Sequence, residues 1–397
     1  FNGALNLKIN QNLNEWFKSI LEPLYDTLRN RIIRETNISA LCELTTLLQK
    51  YYEFEDNASD GGSYVGGSAI YSMQESDVIA PRINFANLFE PILNDVQRRL
   101  IFRIQLYVDE KLMKYKATPE DLKLGQRARS NSIDRQSKTT SLNLEFPENM
   151  FEDWFLPIGK ALTLLSKIYE LVNSVVFDDL AHYIVHSCIY ILKNNAYPIA
   201  VSHLGENNAK LYLLKNLILL QEQLSNFDIQ YVRTETSLDF TSGINEIFEI
   251  VKTSKMQSLD VLDLLRKSVP KVVNNMIDAK REAQTELSNL VADFVESVVK
   301  QLGAPLDSNK PLESSLAFRD KITLELPKTQ KEIDQYLSDQ QVTQYLVSGI
   351  KTLLLSSYEE FHQEVLQLSE RSGDKNKQMS ELMEPDTLFG FLDEVLE

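Results

Sequence analysis

Residues 211–224 read Leu-Tyr-Leu-Leu-Lys-Asn-Leu-Ile-Leu-Leu-Gln-Glu-Gln-Leu. Leucine, lysine, glutamine and glutamate are strong helix formers, and no glycine or proline interrupts them. Apolar residues recur three and four apart, the helical period, so the stretch predicts a helix with a very apolar stripe. It closes on the polar step Gln221-Glu222-Gln223. None of its side chains is equipped for covalent chemistry. The stretch from Trp154 to Tyr169 has the same character. The informative parts of the chain are therefore packing surfaces, and the expectation is a scaffold before an enzyme.

Composition supports helices. Across 397 residues there are only 13 glycines and 12 prolines, too few for the many turns of a sheet protein. The formal charge of −16 repels phosphate and anionic lipid. No nucleic acid is expected as a partner, and membrane contact is expected to be indirect. Cys42 and Cys188 both lie in apolar helical patterns and read as reduced, buried thiols. No run of 18 apolar residues is present, so no membrane span is predicted. The first residue is Phe1 rather than methionine, and the sequence is read as a fragment.

Along the chain, Leu13, Trp16, Phe17, Ile20, Leu21, Leu24 and Leu28 share one helical face, with Pro23 expected to kink that helix or start a new one. A second helix carries Leu41, Leu44, Leu47, Leu48 and Tyr51. Helix is predicted again from about Asn84 to Lys116, ending at Thr118-Pro119. Trp154 to Leu192 reads as one or two long helices, and Asn207 to Leu224 as another. Val272 to Leu302 predicts a helix of thirty or so residues, followed by a linker over Leu306 to Leu316. A last long helix carries Val342 to Leu368, and a short acidic one closes the chain over Met383 to Leu396. The expected fold is all-α, an elongated rod of consecutive helical bundles. Its expected parts are a first bundle over 1–125 with a flexible loop near 57–81, a disordered loop over 126–150, a central bundle over 151–305, and a C-terminal bundle with an acidic tail over 306–397.

Candidate chemistry is sparse. His182 and His186 sit at i and i+4, a spacing that can bind zinc, but Tyr183 stands where a metalloprotease needs its glutamate, and no third ligand announces itself. Two surface or partly buried histidines are the preferred reading. The Gly61–Ser68 stretch lacks the Lys-Ser/Thr ending of a phosphate loop and reads as a linker. Cys188 lies two residues after His186 on one helix, where side chains diverge, so a nucleophile–base pair is disfavoured. No catalytic, cofactor-binding or metal-binding residue is assigned, and no cofactor or small-molecule substrate is expected. Arg127 and Arg129 stand three before Ser130 and Ser132, which makes those serines candidate phosphorylation sites. In the tail, Leu388, Phe389 and Leu392 are the candidate anchors, onto the body or onto a partner.

Several segments carry a family likeness. Trp154, Pro157, Leu165-Ser166-Lys167-Ile168-Tyr169 and Val176-Phe177 resemble the central segment of the third subunit of the conserved oligomeric Golgi tethering complex. Leu213-Leu214-Lys215, Leu217–Gln223, Phe227 and Ser237-Leu238-Asp239 resemble the segment that follows. Upstream, Leu24-Tyr25-Asp26, Ile32-Ile33-Arg34, Val96–Leu100 and Tyr115 to Leu122 continue in the same order. The likeness runs over about Leu13 to Val251; from Val261 only helical character agrees. It implies a rod of stacked bundles with no catalytic residue, acting peripherally on the cytosolic face of the Golgi in retrograde traffic. The implied partners are sister subunits and SNARE, Rab and coiled-coil tether proteins. On this likeness the family's N-terminal coiled-coil part, expected to bind sister subunits, is expected to be missing from the sequence read, and the short loop over Gly125 to Pro147 fits a fungal version. The alternatives are a tether of another route, exocyst-like, and a metal-dependent helical enzyme using His182 and His186.

Overall fold

The computed structural model describes residues 2–59, 86–122, 154–226, 277–372 and 382–396. The loop expected near 57–81 begins inside a helix that runs to Ser59, and the rest of it lies outside the described residues, as does the loop expected over 126–150 with Ser130 and Ser132. No strand occurs among the described residues. The helices are α1 (Asn2–Arg34), α2 (Ile38–Ser59), α3 (Ala86–Tyr107), α4 (Leu156–Ile168), α5 (Ser174–Ile191), α6 (Tyr197–Leu204), α7 (Glu206–Asn226), α8 (Ile277–Gly303), α9 (Pro311–Tyr336), α10 (Gln340–Ser372) and α11 (Pro385–Leu396). The all-α expectation holds.

Two compact units divide the chain. One is drawn from Phe1–Lys111, Asn131–Pro147 and Thr163–Leu180, the other from Leu112–Ser130, Glu148–Leu162 and Ala181–Glu397. In the first, α3 packs against α1 and α2. It buries Ile92, Val96, Leu100 and Ile104, four residues apart and so on one face. The corner between α1 and α2 is tied down by polar groups. Asn37 caps α2, its Oδ1 accepting from the Ser39 and Ala40 amides at 2.9 and 3.3 Å. Arg99 and Arg103 of α3 donate to the Glu35 and Thr36 carbonyls at 2.9 and 3.2 Å, satisfying backbone oxygens that the end of α1 leaves over. Of the two outcomes expected at Pro23, a kink or a new helix, the second does not occur, because α1 continues through it. The bend between α4 and α5 contains Glu170 with φ 65°, a left-handed conformation that costs a non-glycine residue about 1 kcal/mol. Gln49 and Gln97 hold this bend by donating to the Glu170 and Leu171 carbonyls.

The second unit is organised around α7, which meets α6, α8 and α9. The stripe expected on this helix turns out to be burial nearly all round: Leu211, Leu214, Leu217, Leu220 and Leu224 are buried, and so are Asn216 and Gln221. Polar Gln221 is therefore inside, because helices cover α7 on several sides. Helix α9 escapes the sequence pattern. Residues 306–316 read as a linker, yet Pro311 opens α9, a favourable place for a residue with fixed φ and no N–H. Pro327 lies within it, and beyond its first turn the buried apolar side chains Phe318, Ile322, Leu326, Ile333 and Tyr336 are spread thinly among charges. Phe318 stacks on Tyr358 of α10 with centroids 5.5 Å apart.

Between α5 and α6 the backbone opens into a wide turn over Leu192–Ala196, where the Tyr197 amide bonds to Leu192 O, five residues back. Pro198 follows and has no amide to donate, which favours the opening. The resulting run Ser174–Leu204 is long and apolar enough, by length and composition, to cross a membrane. The most apolar stretch within it is 56% buried, and its pairing side chains mark the run instead as a core helix.

Candidate interaction site

The histidines and cysteines that the sequence offered as candidate chemistry are engaged in packing. His182 and His186 on α5 both meet Glu282 of α8: His182 Nε2 lies 3.1 Å from Oε2, and His186 Nδ1 lies 2.7 Å from Oε1. One turn further along α8, Glu286 meets Lys193 at 2.7 Å. Sequence reading missed Glu282 because it is 96 residues from His186. Nothing local signals the pairing. The carboxylate straps the two imidazoles to a neighbouring helix. Among the described residues no group of three histidine, cysteine, aspartate or glutamate side chains is arranged to hold a metal ion. Both histidines are about half exposed, so the strap contributes under about 1 kcal/mol. Glu282→Gln is expected to lower stability by no more than that in chemical denaturation. Elemental analysis of the purified protein is expected to find no stoichiometric zinc.

Both cysteines are free and buried. Burial pushes the Cys42 thiol up to about 11, against a smaller opposing pull from Lys167. Burial alone pushes Cys188 up to about 12. A thiol held that high carries almost no thiolate at neutral pH and is a poor nucleophile. His186 points to Glu282, so Cys188 has no general base there. At pH 8 the native protein is expected to react with Ellman's reagent at least a hundredfold more slowly at both positions than the guanidinium-unfolded chain. Fast reaction of either thiol in the native state would contradict this.

Glu222, inside the polar step that closes α7, has its carboxyl pushed up by burial first and by Asp339 second. The protonated form is the one folding favours. Relative to the unfolded chain, its stabilisation is fully present below the ordinary glutamate range and is lost as pH rises through the raised value. Glu222→Gln is accordingly expected to raise the melting temperature at pH 7 and to leave it nearly unchanged at pH 4.

The C-terminal helix α11 packs on α9 and α10. Leu388 and Leu392, one turn apart, are fully buried, whereas Phe389 is only half-buried. The guanidinium of Arg319 on α9 lies 5.2 Å from the Phe391 ring, a contact that sequence reading did not single out. Lys351 of α10 pairs with Asp393. Just before α11, the Met383 carbonyl accepts from the Tyr358 hydroxyl at 2.8 Å.

Among the described residues, packed helices, interhelical pins and buried thiols define a helical-bundle protein. Its lineage follows from comparison. A family model described as "Conserved oligomeric Golgi complex subunit 3, C-terminal" matches residues 1–244, and the chain belongs to that family. Proteins named conserved oligomeric Golgi complex subunit 3 are similar to it from Saccharomyces cerevisiae (34% identical, covering 96% of this chain and 52% of the relative). Those from Schizosaccharomyces pombe (27%; 91% and 47%) and Homo sapiens (21%; 88% and 49%) are similar too. The chain spans about half the length of these curated relatives. The likeness reaches well past Val251, where the segment match read from the sequence stopped, because the Saccharomyces alignment takes in 96% of the chain. No solved structure matches.

Proposed function

We propose that this chain is a non-catalytic scaffold subunit of a vesicle-tethering complex in retrograde intra-Golgi transport. It acts peripherally at the cytosolic face of the Golgi, and its helical surfaces hold sister subunits and SNARE, Rab and coiled-coil tether partners. The observation that carries this reading is family membership over residues 1–244. The physics agrees: helical bundles place separate binding surfaces on one chain, and several moderate contacts then act together through effective concentration. In this reading Leu388 and Leu392 fasten α11 to its own chain, which leaves Phe389 as the residue of the tail trio open to a partner. Two measurements test the proposal. Affinity purification from the source cells is expected to recover the other subunits of the complex. Depletion is expected to mislocalise Golgi glycosylation enzymes and leave glycans truncated; normal glycans after full depletion would sink it.

A further inference from the structure

Helix α1 carries two apolar stripes, and the first unit uses only one. Phe17, Leu21, Tyr25, Leu28 and Ile32 are the partly or fully buried set, on the helix that packs on α3. Ile9, Leu13, Trp16, Ile20 and Leu24 form a second set, all exposed, with Trp16 at 55% and Ile20 at 50%. At about 100° of rotation per residue the two stripes are centred roughly 100° apart around the helix axis. The second stripe steps 4, 3, 4 and 4 residues along the chain. That is the spacing of a seam that accepts another α-helix by knobs-into-holes packing. Continuing the same steps through Thr27 reaches Arg31 and Arg34, both exposed and without an ion pair among the described residues. The seam is thus apolar along most of its length and basic at its end, on a chain whose formal charge is −16. Trp16 is braced edge-on by Phe17, centroids 5.2 Å apart, as a large anchor held ready.

We propose that this outer stripe of α1 is a docking seam for one amphipathic α-helix of a sister subunit. The partner's apolar stripe meets Ile9 to Leu24, and its acidic end meets Arg31 and Arg34. The two arginines also suit the C-terminal end of the α1 dipole, but the dipole does not require them to fall in line with the seam. A membrane surface is the poorer occupant, since Glu15, Glu22 and Asp26 share the polar side of the helix with Lys8 and Lys18.

The proposal rests on the tethering reading, and the test separates the two. The polypeptide as expressed in its cell is coexpressed with the other subunits of the complex, and their capture is quantified. Trp16→Asp/Ile20→Asp is expected to weaken capture of one subunit at least tenfold. Arg31→Glu/Arg34→Glu is expected to weaken the same subunit three- to tenfold, less so in high salt. Lys18→Glu/Glu22→Lys, on the opposite side of α1, is expected to leave capture unchanged, and circular dichroism is expected to show all three variants folded. Undiminished capture by both seam variants overturns the seam while the tethering reading stands. If the wild-type polypeptide captures no sister subunit, the tethering reading falls and the seam with it. Two further outcomes overturn the seam: a dimer of the isolated protein that Trp16→Asp dissociates, and phosphatidylserine-vesicle binding lost in the seam variants with subunit capture intact. So does full hydrogen-exchange protection of α1 before any sister subunit is added.

Discussion

Leu388→Asp is expected to detach α11 from the second unit while the rest of that unit stays folded. Leu388 and Leu392 are both fully buried against α9 and α10. Burying a leucine side chain is worth about 1.5–3 kcal/mol, so the pair supplies roughly 3–6 kcal/mol of the docking free energy. The substitution removes one of the two and places a carboxylate at a fully buried position, which costs several kcal/mol more. The loss is capped at the docking free energy of α11, because the helix can leave rather than bury the charge. Hydrogen exchange is the deciding measurement. The amides of 385–396 are expected to exchange at least a hundredfold faster, while those of α7 and α8 change little. Phe389→Asp, at a half-buried position, is expected to shift the same amides less than tenfold. Equal effects of the two substitutions would show that Leu388 and Leu392 do not fasten the helix.

The second large effect belongs to Asn216, a polar residue in the middle of the apolar helix α7. It is buried, and both ends of its amide are used. Oδ1 accepts from the Phe155 amide at 3.0 Å, and Nδ2 donates to the Tyr212 carbonyl at 2.9 Å. Phe155 is itself buried and leads into α4, with its ring 5.7 Å from Tyr115. Around it Tyr212 donates to the Asp121 carbonyl at 3.1 Å, and Asn195 donates to the Tyr115 carbonyl at 2.8 Å. Asn216→Ala leaves the Phe155 N–H buried without its acceptor, a penalty of about 1–3 kcal/mol. It also opens a small cavity, so a total loss of about 2–4 kcal/mol is expected in urea or thermal unfolding. Asn207→Ala serves as the comparison. Its amide donates to Gln301 at 2.8 Å in an exposed bond and accepts from the Ser297 hydroxyl at 3.1 Å, and the loss of both is expected to cost about 1–1.5 kcal/mol. Similar costs for the two would contradict the role given to Asn216.

How much of this was legible beforehand differs from helix to helix. Helices α1, α2, α7, α8, α10 and α11 announce themselves, because their apolar residues repeat at the helical period over many turns. Helix α9 does not: five buried apolar side chains, Phe318 to Tyr336, spread over nineteen positions with Pro327 among them, are too thin a signal. The break between α4 and α5 was one of two readings of Trp154 to Leu192, but its place was not legible, for a different reason. Glu170 adopts a left-handed backbone that glutamate does not favour by itself, and Gln49 and Gln97, distant in sequence, hold it there. For the candidate site, His182 and His186 were visible as a pair, but the carboxylate that occupies them was not.

Helical class, the family likeness and the absence of a recognisable catalytic motif are written in the amino-acid sequence itself. They depend on local propensity, period and residue order, which need no neighbour to be read. What each stripe faces is a different matter. Tertiary structure alone decided that α7 is covered on several sides with Asn216 and Gln221 inside, and that Glu282 straps the histidines. It also decided that α1 keeps one apolar stripe against α3 and turns another outward. An apolar period states that a face avoids water, but only the packing of distant segments supplies the surface that does the covering.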